Sequence, residues 1–413
     1  MQRWQERPAV VAAWGMVAAF GAYACMYGFR KPFAAGGYEG AEFGPGFKAA
    51  IVTAQTLGYA LSKCLGIGLV SAMPAGRRIA SLMALVGLAE AAWVAAGLLP
   101  RPWNIACFFV NGLPLGMVFG LVLGFLEGRR MTEALMAGLC ASFILADGLS
   151  KSLGAHLLAT GVPERWMPAV AGLLFTPPLA GFAWLLHRLP PPSEADVAAR
   201  RERAPMDAAA RRAFLRRNAA VLGMVILAYS GITVLRGLRA DFAPELWRAL
   251  GFPGQPSLFT RSEFWVASGV LLANALAVRW HDNHSAFRYG LAIGIGGVLM
   301  VLAAMAARGA GWMGGFGFMV TLGLGLYLPY VAVHTTLLER LVAGAKDRAN
   351  LGFVMYLADA GGYVAYAVIL LLGQAGDGPR GSLAGFEGLA WVVCIFAAAA
   401  FAGAGWLMRR GKA

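Results

Sequence analysis

The sequence predicts an all-α membrane protein made of two pseudo-symmetric bundles of six transmembrane helices. Three observations carry that prediction. The 413-residue chain is 59% hydrophobic and only 14% charged, whereas soluble domains carry about 25% charged residues. Twelve apolar stretches along it approach the roughly 20 residues that a helix needs to cross the hydrocarbon layer. Landmarks of the first half also recur in the second. Arg30 and Arg236 lie 206 positions apart (236 − 30), and each has a tyrosine seven residues before it, Tyr23 and Tyr229.

The expected spans follow from the apolar runs and the charges between them. The first, 10–35, is built on Trp14–Phe29 and closed by Arg30. The second, 48–72, holds Tyr59 and Lys63. The third, 79–99, starts after Arg77 and Arg78. The fourth, 103–126, places Gly112, Gly116, Gly120 and Gly124 on one small face, which lets a neighbouring helix approach closely. The fifth, 134–160, follows Arg129 and Arg130, and the sixth, 166–187, ends before Pro190, Pro191 and Pro192. The second half runs 218–241, 262–280, 288–307, 312–337, 350–373 and 386–408. The expected domains are therefore 1–187 and 218–413. The linker, 188–217, carries Arg200, Arg201, Arg203, Arg211, Arg212, Arg216 and Arg217. A segment of that composition is expected to be partly helical and to lie on anionic headgroups.

Connections alternate in charge. Arg77–Arg78, Arg129–Arg130, the linker, Arg279 to Arg288, Arg340 to Arg348 and Arg409–Lys412 fall on one side. The positive-inside rule makes that side cytoplasmic, with both termini, and places the chain as multi-pass in the cell (inner) membrane. No cleavable signal peptide is expected. The net charge of +14 follows this topology and does not call for nucleic acid. Cys25, Cys64, Cys107, Cys140 and Cys394 lie in apolar runs without paired spacing, and are expected as small packing residues. The histidines are His156, His187, His281, His284 and His334. His281 and His284 beside Asp282 are read as a solvated turn, so no metal and no cofactor is expected. No ATPase phosphate loop is visible, and no enzymatic constellation is found.

Two further echoes support duplication. Leu145–Ala146–Asp147 returns as Leu357–Ala358–Asp359, at an offset of 212 (359 − 147), and Glu127 returns as Glu339 at the same offset. Transporters are often built from such repeats, with the binding site between them near the midplane. Ionisable residues inside spans are costly, at least about 2.5–3.5 kcal/mol, and mark functional interiors. Arg30, Arg236 and Lys63 have no acidic partner within their own helices, so they are the expected substrate charges. A guanidinium stays charged and offers a planar fork to two phosphate or carboxylate oxygens. One fork from each half would hold a dianion. Tyr23, Tyr27 and Tyr59 are expected to add hydroxyls and aromatic walls. Lys31 and Arg239 stand between a substrate role and snorkelling to the outer interface. Asp147 and Lys151 are an i,i+4 pair, expected as a structural ion pair or as a coupling or gating group, and Asp359 is a second candidate for coupling.

At these residues the chain resembles the major facilitator superfamily, and within it the organophosphate:phosphate antiporters that include the glycerol-3-phosphate and hexose-phosphate transporters. The pattern Tyr23–Tyr27–Arg30–Lys31–Phe33 is similar to that group's first-helix motif, and Tyr59–Ala60–Leu61–Ser62–Lys63 to its second-helix stretch. Arg236 falls at its seventh-helix arginine. The first-helix run also resembles an uncharacterised bacterial branch of the superfamily. The resemblance implies a phosphate held by Arg30 and Arg236, with Lys63 nearby. The chain departs from the pattern in three places. Ser71–Arg78 lacks the usual aspartate, Asp147 and Lys151 stand in a helix where the antiporters use a histidine, and Thr233 replaces a tyrosine. The expected function is alternating-access transport of a small organic anion, a phosphate ester exchanged for phosphate being one form. Proton-coupled transport through Asp147 or Asp359, and a transporter-like substrate sensor, are the alternatives. The expected partners are a small anionic substrate and the lipid bilayer, without nucleic acid, and the chain is expected to be a monomer.

Overall fold

Inside a bilayer a chain must satisfy its own N–H and C=O groups, so an apolar chain of this length resolves into helices. The computed structural model describes residues 8–38, 46–69, 73–126, 132–190, 208–277, 282–344, 351–373 and 382–410, which form helices joined by short turns with no strand among them. The first six long helices are α1 (Pro8–Gly28), α2 (Gly46–Leu69), α3 (Arg78–Leu98), α4 (Ile105–Leu126), α5 (Thr132–Ala159) and α6 (Met167–His187). There follow α7 (Ala208–Asp241), a short α8 (Ala243–Ala249), α9 (Ser257–Ala277), α10 (Asn283–Gly309) and α11 (Gly315–Ala332). A π turn, Val333–Leu337, joins α11 to α12 (Leu338–Gly344), and α13 (Leu351–Leu372) and α14 (Leu383–Arg409) complete the order. Among the described residues nine helical stretches are long and apolar enough to cross a membrane. The remaining long helices, α2, α5 and α9, carry more polar and charged side chains, such as Lys48, Lys63, Asp147, Lys151, Arg261 and Glu263.

The chain forms two compact units. One comprises Met1–Arg201 with Gly254–Phe264, and the other Glu202–Pro253 with Trp265–Ala413. In the first, α1 packs against α4, α5 and α6, and α3 packs against α4 and α6. In the second, α7 packs against α11, α13 and α14, and α10 packs against α11 and α14. The same five pairings thus occur in each unit. Only 33% of the apolar windows of α3, α6 and α14 is buried, against 61% for α1 and 67% for α11. The former three are outer helices, and α1 and α11 are central. Leu98, Leu173, Trp184, Leu272 and Val392 are exposed, an apolar exterior suited to lipid.

Close approach by glycine sets the tightest pairing. A Cβ at Gly112 would strike the carbonyl of Gln55, and one at Gly58 the carbonyl of Phe109. The glycine face expected on the fourth span therefore seats α4 on α2. Gly116 continues it against Ser62, while Gly124 meets the Arg78 guanidinium instead.

Four expectations are corrected. The first span does not run to 35. It stops at Gly28, turns through Phe29–Lys31 and resumes as a 3-10 helix, Pro32–Ala35, because Pro32 has no N–H to continue the ladder. The tenth span is interrupted by the π turn. The helix expected from 218 starts at Ala208, so Arg211, Arg212, Arg216 and Arg217 of the expected linker belong to α7. Lys31 and Arg239 do not snorkel outward. They are 7% and 2% exposed, and an Arg239 η-nitrogen donates to the Met319 carbonyl at 3.0 Å. Glu127, Arg129, Arg130, Cys140's side chain, Pro191–Asp207, Arg279, His281 and Arg348 lie outside what is described.

Outside the spans, a cluster fastens the entry to α2. Tyr38 adopts a left-handed conformation (φ 55°), and its N–H donates to Glu164 at 2.9 Å. Glu164 pairs with Arg101 at 3.6 Å, and the Arg101 guanidinium sits 4.5 Å from the Phe47 ring centre. Burial, helped by the Glu164 charge, pushes the Tyr38 phenol well above its ordinary range. The Asp282–His284 segment is a helix cap. The Asp282 carboxylate accepts the Ser285 N–H at 2.8 Å.

Candidate functional site

In the first unit the broken end of α1 carries the site. Where the helix stops, its last carbonyls lose their helical partners. Phe29 O accepts from Trp93 Nε1 on α3 at 2.6 Å and from Asn111 Nδ2 on α4 at 3.1 Å. Arg30 O accepts from Gln55 Nε2 on α2 at 2.9 Å, and the same nitrogen donates to Asn111 Oδ1 at 2.8 Å. Asn111 Nδ2 reaches Ala89 O as well, at 3.0 Å. Three helices thereby fix the backbone from which Arg30 projects.

Arg30 is 5% exposed. Its guanidinium lies 3.6 Å from the Tyr59 ring centre and 5.9 Å from that of Tyr27. Lys63 is 5.4 Å from the Tyr59 ring centre and 5.1 Å from that of Phe119. Tyr23 stands edge-on to Tyr27 at 5.7 Å and to Phe119 at 5.3 Å. The structure thus brings Arg30, Lys63, Tyr23, Tyr27 and Tyr59 together, two cations among aromatic faces, with Tyr59 shared between them. Cation–π attraction holds such cations in a poorly solvated site. Lys31 lies in the adjoining turn, whose carbonyl accepts from Ala34 N–H at 3.1 Å.

Asp147 and Lys151 form an ion pair within α5, 1% and 2% exposed.

The second unit repeats the theme with different partners. Arg236 is 8% exposed. Its guanidinium lies 4.3 Å from the Tyr330 ring centre and 5.7 Å from that of Tyr327, and an η-nitrogen donates to Tyr363 Oη at 3.4 Å. Beside it the Tyr229 hydroxyl donates to Asp359 Oδ1 at 2.6 Å. His334, on the π turn, places Nε2 3.0 Å from the same oxygen and Nδ1 3.1 Å from the Tyr330 carbonyl. Tyr229 stacks on Tyr330 at 5.1 Å. Asp359 is thus tied to α7 and to the π turn. Thr233 uses its hydroxyl on the Tyr229 carbonyl at 2.8 Å. The Tyr366 hydroxyl donates to Asp241 at 3.0 Å.

Each unit therefore buries an arginine against a tyrosine ring, Arg30 in the turn after α1 on Tyr59 and Arg236 within α7 on Tyr330. Sequence reasoning missed Gln55, Asn111, Trp93, Glu90, Tyr330, Tyr363 and the role of His334. Asn111 stands alone in the apolar run Phe108–Leu115, a readable signal for a buried polar anchor. Glu90, in the middle of α3, carried the same signal as Lys63. Both its carboxylate oxygens are buried without a hydrogen-bond partner among the described residues, close to Gly172. A separate cavity of about 680 Å³ lies against α10 and α14, lined by Arg288, Tyr289, Phe401, Trp406 and Arg409 among others. It contains none of the expected site residues.

Comparison with known proteins agrees with this architecture. A family profile described as "Family of unknown function (DUF5690)" matches residues 32–410. A search of the curated proteins found no match. The fold resembles that of a bacterial homologue of the human lysosomal transporter Spinster, in an inward-facing and unoccupied conformation. The TM-score is 0.62 and the identity 14%, over 97% of both chains. It also resembles a point mutant of the nucleoside transporter NupG, with a TM-score of 0.61 and 11% identity, over 95% of this chain and 98% of that one. The fold is thus one shared with these two transporters.

Proposed function

The chain belongs to the family of unknown function DUF5690, and on that footing we propose that it is a secondary transporter of a small organic anion, working by alternating access. The carrying observation is the duplicated buried arginine on a tyrosine face, Arg30 on Tyr59 and Arg236 on Tyr330. A chain that buries permanent cations in apolar helices sustains that cost when a function requires it. A guanidinium on an aromatic face still directs N–H groups at an anion, and the ring shields it from lipid. Arg30 and Arg236 each bind the anion during the cycle, and Lys63 adds charge to Arg30. The twelve-span arrangement, as two six-helix bundles with cytoplasmic termini in the inner membrane, is part of this proposal. So is a phosphate ester, exchanged for phosphate, as the substrate.

The test is a thermal-shift panel on the purified full chain with phosphate, glycerol 3-phosphate, citrate and zwitterionic amino acids. A ligand that binds the folded form raises apparent stability, by about 2.7 kcal/mol at a hundred times its dissociation constant. Stabilisation by anions alone, lost in Arg30→Ala and Arg236→Ala, is expected. Stabilisation by a neutral solute, unchanged in both variants, overturns the reading.

A further inference from the structure

We propose that His334 and Asp359 form a proton-binding site in the second unit, and that its occupancy sets how well Arg236 receives an anion. The tuning of Arg236 rests on the proposed function, but the proton site does not.

Asp359 Oδ1 faces two groups, the Tyr229 hydroxyl at 2.6 Å and His334 Nε2 at 3.0 Å. His334 Nδ1 faces the Tyr330 carbonyl at 3.1 Å. A carboxylate and a peptide carbonyl only accept, and a neutral imidazole carries one N–H. A neutral His334 beside an ionised Asp359 is therefore one hydrogen short of filling these contacts. One added proton fills all of them. Nδ1–H donates to Tyr330, Tyr229 O–H donates to Asp359, and the remaining hydrogen lies between Nε2 and Oδ1. His334 is 6% exposed, Asp359 8% and Tyr229 0%. An unfilled contact in such a place is costly.

The backbone supports the same assignment. His334 lies in the π turn, where the Leu338 N–H reaches back five residues to Val333 O. Such widened turns recur at functional sites. The groups around the pair come from three elements. Helix α7 brings Tyr229 and Arg236, α11 brings Tyr327 and Tyr330, and α13 brings Tyr363. Arg236 is the cation that these contacts place there. With the proton, the His334–Asp359 pair is neutral and Arg236 presents a full positive charge to an anion. Without it, the pair is a net anion that cancels Arg236. Proton and anion binding therefore favour one another by the same factor, as linkage requires. The anion travels with a proton.

The test uses the full chain in lipid nanodiscs, with His156, His187, His281 and His284 changed to Gln so that His334 is the only histidine. The positions described, His156, His187 and His284, are exposed. Nitrogen-15 spectra of labelled histidine are recorded from pH 5 to pH 9. A hydrogen on Nδ1 at neutral pH, given up in one step that Asp359→Asn displaces, is the expected result. An Nδ1 without hydrogen across the range overturns the proton site, with no variant at Asp359 needed. Sulfate, which does not titrate in this range, is the anion probe. Its affinity is expected to fall about tenfold from pH 6 to pH 8 and to be flat with pH in His334→Gln. Equal affinity at both pH values overturns the tuning. Absence of sulfate binding at every pH overturns the tuning together with the anion reading, while the ring spectrum decides the proton site alone.

Discussion

Removing Asp147 is expected to cost far more than removing Asp147 and Lys151 together. An exposed ion pair contributes about 0–1 kcal/mol, whereas taking one partner from a buried pair costs about 3–5 kcal/mol. The exposures of 1% and 2% place this pair in the second regime. Asp147→Leu and Lys151→Met are each expected to lose about 3–5 kcal/mol, because each strips a buried charge of a counter-ion. The double variant Asp147→Leu with Lys151→Met removes both charges and leaves an apolar pair in their place. It is expected to lie within about 1 kcal/mol of the parent or above it, since an apolar pair of similar size often replaces a buried ion pair without loss. Reversible unfolding in mixed detergent and dodecyl sulfate micelles measures all four proteins. A single variant within 1 kcal/mol of the parent, or a double variant as unstable as the sum of the singles, refutes the reasoning. Anion stabilisation retained in the double variant would further mark the pair as structural and leave coupling to the second unit.

Other outcomes follow from single contacts. Arg30→Lys and Arg236→Lys keep the charge but lose the fork, and both are expected to weaken binding of the stabilising anion at least tenfold with the parent's helical circular dichroism. Unchanged affinity in both variants counts against the site. Gly112→Ala drives a Cβ into the Gln55 carbonyl, which is backbone and cannot rotate away. A loss of about 1–3 kcal/mol in the same micelle assay is expected, and no loss would show that α2 and α4 separate freely. The Ser285 N–H, accepted by Asp282, holds that exposed carboxyl below its ordinary value of 3.8. The sign follows from linkage: the cap contributes fully above 3.8 and fades as pH falls through the lower folded value. Amide exchange at Ser285, scaled to its intrinsic rate, is expected to quicken only at strongly acidic pH. In Asp282→Ala it is expected to be fast at all pH values.

The large pattern was legible because it rests on what a bilayer forbids. Charges in apolar runs are conspicuous, so Arg30, Arg236 and Lys63 stood out, and the recurrence of Tyr23 and Leu145–Asp147 was the sign read as duplication. The aromatic grouping around Arg30 was readable because Tyr27, Arg30, Tyr59 and Lys63 lie in the first two helices at close spacing. The second unit was harder. Asp359 meets Tyr229 from 130 residues away and His334 from 25, and no periodicity reports such a meeting. The π turn carries no residue signature, so the tenth span reads as continuous. Pro32 was visible, yet the apolar run on both sides of it outweighed the break. Gln55, Asn111 and Trp93 escaped because attention to ionisable residues passes over neutral amides and an indole. Their task, satisfying carbonyls that a broken helix leaves open, exists only once the break is known. The sequence leaves Arg239 open between two placements for a related reason. Its acceptor is a carbonyl 80 residues away, whereas the sequence shows only its nearness to the helix end.

The amide and indole cradle beneath Arg30 has a mechanical consequence. Because Gln55, Trp93 and Asn111 come from α2, α3 and α4 and all grip the Phe29–Arg30 peptides, α1 cannot slide or rotate by itself without breaking several buried hydrogen bonds at once. Any displacement of the backbone that carries this arginine must take these four helices along as a block. Cross-links placed within the cradle should therefore leave the helical packing and the anion-induced thermal shift of the parent intact.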